Sequence, residues 1–318
     1  MTAVAPAPPV VPPEDTPAPA PDEPQRVHKG GWFVRITIVV VVLLWSIPTL
    51  GIVLSSFRPE SLVENTGWWT ALGHPFRGAQ WTLENYRTAL GAGGFKNAFL
   101  NSLAVSIPST VIPITIASFA AYAFSWMEFK GRDVMFVLVV GLMVVPLQMA
   151  LIPILRLYTG GAHIGHITLL PDPKLGGTLL GVWLAHTAFG LPLATYLMRN
   201  YIGSLPSSII ESAKIDGADH FTIFWRLIVP LSVPALAAFA IFQFLWVWND
   251  LLVAYVFLGG SHENRVLTLA LQQLVGARGE NWHLLTAAAF LSMMLPMLVF
   301  FSLQRYFVRG LTAGSVKG

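Results

Sequence analysis

The residues of this chain that could do chemistry are few, and most fail the spacing that the chemistry needs. A phosphate-cradling loop requires Gly, four residues, then Gly-Lys-Ser/Thr, so that backbone N–H groups and the lysine converge on the phosphates. The nearest start, Gly73 to Gly78, continues with Ala79 and Gln80. ATP binding by such a loop is therefore excluded. A zinc-peptidase helix requires His-Glu-x-x-His, whereas His262-Glu263 runs into Asn264 and Arg265. No Gly-x-Ser-x-Gly elbow occurs, which removes that route to an activated serine. His163 and His166 could share a helical face, but Gly165 between them marks a loop. There is no cysteine, hence no thiolate metal site or disulfide. The sequence predicts no catalytic group and no metal site.

Two polar groups remain. Asn249 and Asp250 interrupt a long apolar run. A charge at mid-bilayer costs about 2.5–3.5 kcal/mol on insertion scales, so it must face protein or water. One reading makes them a polar wall of a translocation path, with Gln243, Trp246 and Trp248 nearby and Gln148, beside Pro146, as a further member. The other makes them interhelical hydrogen bonds that fix packing.

The second group spans 199–230. Ser204-Leu205-Pro206 reads as a helix start, with Ser204 as cap. Leu205, Ile209 and Ala213 share one face, and Glu211, Lys214 and Asp216 are polar. Gly217 suits a stop that needs positive φ. Asp219 can cap a second helix, in which Phe221, Phe224, Trp225 and Ile228 follow helical spacing. Pro230 marks entry to the next apolar run. Periodicity leaves two alternatives: a helix pair lying on headgroups, or a knob that docks a soluble partner.

The elements that must carry these groups are membrane spans. Hydrophobic residues make up 54% of the 318, and only 11% are charged, against about 25% in soluble domains. The mean hydropathy is +0.63. A bilayer core needs roughly 20 helical residues, and six stretches qualify: 33–57, 98–125, 134–157, 178–198, 229–257 and 285–305. Pro108, Pro113, Pro146 and Pro153 lie within them and predict kinks, not breaks. The first run is too long for a signal peptide and is read as an uncleaved anchor.

Six spans place both ends of the chain on one side. Arg26, Lys29, Arg35, Lys130, Arg132, Arg199, Lys214, Arg226, Arg305, Arg309 and Lys317 fall on that side, and eight basic residues fall on the other, four of them in the long 58–96 loop. The bias predicts that both termini are cytoplasmic. A net charge of +3 is too small to imply nucleic-acid binding. The organisation expected is a disordered Pro/Ala-rich tail over 1–28, a first span and outer loop over 29–96, a core over 97–306 holding the 199–230 loop, and a tail over 307–318. In the outer loop, Trp68, Trp69 and Trp81 fit an interfacial belt, and Thr82 caps a short helix. Residues 258–284 form a second loop with Gly259, Gly260 and Gly276 as turns.

Glu211-Ser212-Ala213, three residues, Gly217, nine residues and Leu227-Ile228-Val229-Pro230 resembles the EAA signature of ABC importer permeases. The spacing matches throughout, and Ser212, Leu227 and Val229 are conservative departures. Residues 82–318 resemble the second permease of maltose-type carbohydrate importers. Thr82-Leu83-Glu84-Asn85-Tyr86, Trp246-Val247-Trp248-Asn249-Asp250 and the tail from Gln304 carry that likeness. Gly181 to Thr187 resembles α-glucoside-type members.

The resemblance implies an all-α membrane protein with the type I ABC importer permease fold, in the bacterial cytoplasmic membrane. It implies coupling to an ATPase through Glu211, Ser212, Ala213, Asp216, Gly217 and Pro230. It implies further ATPase contacts by Arg305 and Arg309 of the tail, whose alternative is a basic end near anionic headgroups. The implied partners are a second permease, a dimeric ATPase that holds the ATP and Mg, and an extracytoplasmic sugar-binding protein that the 258–284 loop could touch. The implied cargo is an α-linked disaccharide or oligosaccharide such as an α-glucoside, maltose or trehalose. An ion-coupled transporter would need more intramembrane ionisable groups than Asp250, and a scaffold without transport remains the third class.

Overall fold

The structure is a computed structural model that describes residues 31–91, 94–261, 263–274 and 281–313, with side chains as far as Arg305. The expected tail over 1–28, Gly276, and the side chains of Arg309 and Lys317 fall outside that description.

Helix α1 covers Trp32–Ser56, and its residues up to Ile47 form a unit of their own, exposed almost throughout. Residues from Pro48 onward form the second, compact unit. Its long helices are α5 (Phe95–Trp126), α8 (Leu179–Ile202), the continuous run His220–Trp248, and α14 (Trp282–Ala313). Helix α5 would be about 48 Å long at 1.5 Å per residue, more than a bilayer core. Small residues let these helices approach: Ala98, Ala117 and Ala121 on α5 and Ala185 and Ala194 on α8 are fully buried. Polar atoms then reach across. Trp183 Nε1 donates to the Ala104 carbonyl at 2.8 Å, and Gln243 Nε2 to the Ser109 carbonyl at 3.2 Å. Gly190 matters here, since a Cβ at that position would lie 2.7 Å from Gln243 Nε2.

Among the described residues, five helices are long and apolar enough to cross a membrane, or six if the bent pair is one span. Three expected spans change shape. The third is broken: Arg132–Val144 and Leu147–Gly160 meet at 105°. Pro146 precedes the new helix and cannot donate back to the turn before it, so the kink expected there is a break. Pro108, Pro113 and Pro153 stay inside unbroken helices. The fifth span ends at Trp248, and a short helix α12 (Leu252–Leu258) follows after Asn249-Asp250-Leu251. The sixth runs on through Ala313, past the end expected at 305.

For the labels used below, α6 is Arg132–Gly141, α7 is Leu147–Gly160, α11 is the Val229–Trp248 part of the continuous run, and the short helices are α2 (Glu60–Asn65), α3 (Thr70–Gly73), α4 (Glu84–Gly91), α9 (Ser207–Ile215), α10 (His220–Ile223) and α13 (Leu267–Leu274). A hairpin of β1 (Ala162–Ile164) and β2 (Ile167–Leu170) turns at Gly165, φ +60. His163 is spent there, on Thr168 and the Gly160 carbonyl.

The 58–91 loop is built around Arg58, which is 1% exposed. Its guanidinium donates to Gly67 O at 3.0 Å, Thr66 Oγ1 at 2.6 Å and Thr70 Oγ1 at 3.0 Å. Asn85 of α4 donates to the Ser56 and Arg58 carbonyls at 2.9 and 2.7 Å. Thr82 Oγ1 accepts from Glu84 N–H at 3.1 Å, the capping role its sequence position predicts. Trp69 is exposed, and Trp68 lies against Gly51.

Candidate functional site

Helix α9 is held by little. Ile210 is 2% exposed and sits in an apolar cluster with Tyr122, Met198 and Ile228, while Leu205 and Ala213 pack partly against it. Glu211, Ser212, Lys214, Asp216 and Gly217 are all exposed. Ile215 is 86% exposed, a large apolar side chain with no packing of its own.

The helix ends in a Schellman arrangement. Ala218 N–H bonds Ala213 O at 2.9 Å and Gly217 N–H bonds Lys214 O at 3.0 Å. This needs left-handed backbone at Gly217, whose φ is +79. Asp219 then accepts from Thr222 N–H at 2.8 Å, the predicted cap. Those Thr222 hydrogen bonds hold the Asp219 carboxyl below its ordinary pKa. Tyr122 Oη meets His220 Nδ1 at 2.8 Å and ties the new helix to α5.

Two details differ from expectation. Ser204 does not cap α9: its hydroxyl donates to Tyr201 O, closing α8, and Pro206 occupies the start of α9. The second helix is not a separate amphipathic piece. It continues into the fifth span through a π turn at Phe224–Ile228, where Val229 N–H bonds Phe224 O. Pro230 lies inside that helix, where it has no N–H for the Arg226 carbonyl and its ring would crowd it; the wider π turn accommodates both effects. Phe224 and Ile228 face the core, whereas Phe221 and Trp225 stay exposed.

The intramembrane candidates separate. Gln243 is 1% exposed and spent on the α5 backbone. Trp248 is buried, donates to Ser292 O at 3.1 Å and stacks on Phe244. Asn249 turns back on Leu245 O at 2.7 Å. Asp250 takes a role outside both sequence readings: its carboxylate accepts from Val253 and Ala254 N–H at 3.3 and 2.9 Å, the first donors of α12. It thus restarts the broken helix. The fully buried His186 lies 3.7 Å from Asp250 and edge-on to Trp246. Trp246 itself lines a cavity of about 500 Å³ formed with Pro146, Leu147, Phe189 and Pro192 at the α6–α7 break. Gln148 is exposed in the first turn of α7.

Sequence reasoning missed Ile210, Ile215 and His186. Ile215 was detectable as a large apolar residue four positions after Glu211, on the polar side of the helix. His186 gave no signal, because its partner lies 64 positions away.

Residues 113–313 match the family described as binding-protein-dependent transport system inner membrane component. The chain belongs to this family.

The match takes in α9, Gly217 and the whole fifth span. The osmoprotective compounds uptake permease protein GgtD of Synechocystis sp. is 57% identical, over 89% of this chain and 91% of its own length. The alpha-glucoside transport system permease protein AglG of Rhizobium meliloti is 43% identical, over 93% of this chain and 99% of its own. A solved bacterial ABC transporter involved in alginate import shares the fold at a TM-score of 0.69 and 20% identity, covering 91% of this chain and 100% of that one. The chain is accordingly an all-α, multi-pass ABC transporter permease subunit and not an enzyme.

Proposed function

We propose that this chain forms half of the translocation path of an importer for an α-linked disaccharide or oligosaccharide, such as an α-glucoside, maltose or trehalose. The observation that carries the coupling half of this reading is α9: a short, stiff helix anchored by Ile210, presenting Glu211, Ser212 and Ile215 outward. Such a knob fits a cleft on a cytoplasmic ATPase, and the Gly217 turn hands its displacement directly to the fifth span. ATP and Mg then belong to the ATPase dimer. The basic bias puts this end, and both termini, in the cytoplasm of a bacterial cell. Arg305 and Arg309 at the end of α14 offer a second ATPase contact. A second permease completes the path, and an extracytoplasmic binding protein delivers the sugar against the 258–284 loop. Closure of the ATPases moves paired α9 helices, and the spans alternate access as rigid bodies.

The R. meliloti relative, named for alpha-glucosides, supports the substrate class. Trp246 is the path residue of choice, since it alone among the candidates borders the cavity at the α6–α7 break. A second reading, an osmoprotective compound outside the α-linked sugars, is favoured by the 57% identical relative. Uptake by vesicles of the assembled transporter separates the two. ATP-dependent accumulation of radiolabelled maltose or trehalose is expected. Accumulation of a zwitterionic osmoprotectant alone would reject the sugar reading.

A further inference from the structure

His186, in α8, is an imidazole that packing alone does not explain. It is fully buried, and neither Nδ1 nor Nε2 has a hydrogen-bond partner among the described residues. A buried polar group left unpaired costs stability, and an apolar side chain of similar size would avoid that cost. Two groups meet it instead. Nε2 stands 3.7 Å from Asp250 Oδ2, and the ring lies at 88° to the Trp246 indole, with centroids 5.6 Å apart. Among the described residues, that imidazole is the one ring that Trp246 meets.

Trp246 needs an outside hold. It lies in the last turn of α11, just before the break at Asn249. Its neighbours Val247 and Trp248 are buried, whereas Trp246 is half-buried and its Nε1–H meets no acceptor among the described residues. Trp183 and Trp248, by contrast, are each fixed by an indole hydrogen bond to a backbone carbonyl. Packing alone therefore sets how the Trp246 indole stands in the wall of the cavity at the α6–α7 break. His186 does not line that cavity, so it acts on it only through Trp246. Asp250 can fix His186 in turn. Its carboxylate is held by the first N–H groups of α12, and a shift of about 0.5 Å brings the imidazole within hydrogen-bond range of it. We propose that His186 is a positioning residue that sets the Trp246 indole against the cargo, with Asp250 as its anchor. This rests on reading the cavity as part of the cargo path, not on which cargo passes.

The test uses the assembled transporter in detergent, with Ala188→Cys as the reporter. Ala188 is exposed in the same cavity, and the chain has no other cysteine. The rate at which a small methanethiosulfonate reagent labels that thiol is titrated with maltose and, separately, with glycine betaine. The expected result is protection by maltose. His186→Leu should raise the half-protecting concentration about tenfold, and His186→Gln, whose amide can still donate to Asp250, less than about twofold. His186→Met, whose unbranched side chain repacks more readily, should match His186→Leu and stands in where that variant does not assemble. In a Trp246→Leu chain, His186→Leu should add less than about twofold. An equal shift in both backgrounds overturns the proposal, because His186 then acts on the fold and not through Trp246. An unchanged His186→Leu titration overturns it, as does a loss in His186→Gln as large as in His186→Leu. Protection by glycine betaine alone, with the same coupling, rejects the sugar reading and leaves the positioning role in place. Protection by neither overturns the positioning role, because Trp246 then borders no cargo path.

Discussion

At Gly217 a single backbone angle controls the geometry. With φ at +79, a side chain there is strained, while open space around the position means no steric contact adds to it. Gly217→Asn should therefore retain ATPase stimulation, because Asn tolerates left-handed backbone. Gly217→Val should lose it at least tenfold while the protein still inserts; equal stimulation in both variants would remove the turn from the coupling account. Asp250 offers a second test. Asp250→Asn keeps an acceptor for the α12 donors, whereas Asp250→Ala should cost about 1 kcal/mol, read as a lower unfolding temperature in detergent. Arg58 is the third. Its three hydrogen bonds are made by a buried charge, and Arg58→Met should cost less than Asn85→Ala only if the loop repacks apolar, since the Asn85 change orphans the Ser56 and Arg58 carbonyls at about 1–3 kcal/mol.

At the scale of elements, helix contacts depend on absent atoms. Gly190 exists opposite Gln243 because nothing larger fits. Gly190→Ala should destabilise by about 1–3 kcal/mol, and Gln243→Ala in the same chain should recover part of that cost, a coupling of at least about 0.5 kcal/mol. Additive effects would mean that the pair does not share the interface. Much of this level was legible in sequence: the apolar runs, the Gly217 stop and the Asp219 cap are local, and each was read from residues within a few positions. What failed is non-local or depends on the competition between neighbours. Pro146 breaks its span while Pro108, Pro113 and Pro153 do not, and nothing within their own segments separates them. Ser204 had a choice between closing α8 and opening α9, and composition could not decide it. The cost of placing Asp250 in an apolar run was foreseen, but the break there was not, and its solution, capping a new helix, lies in backbone donors that a hydropathy pattern ignores.

For the whole molecule, the central claim is that an apolar bundle ends in one knob that an ATPase grips. The fold and family were legible because the EAA-like spacing runs through 20 residues, too long to arise from amphipathicity alone. The arrangement of the path was not, since Gln243, Trp248 and Asn249 look alike in sequence and only packing consumes them. The chain contains no cysteine, so single-cysteine cross-linking needs no background removal. Ile215→Cys, in membranes that hold the complete transporter, is the most direct measurement of the claim. It should cross-link to the ATPase subunit with a yield that changes on adding ATP, while Phe76→Cys, fully exposed in the 58–91 loop, should not. An Ile215→Cys chain that reacts with soluble thiol reagents yet never captures the ATPase would contradict the account.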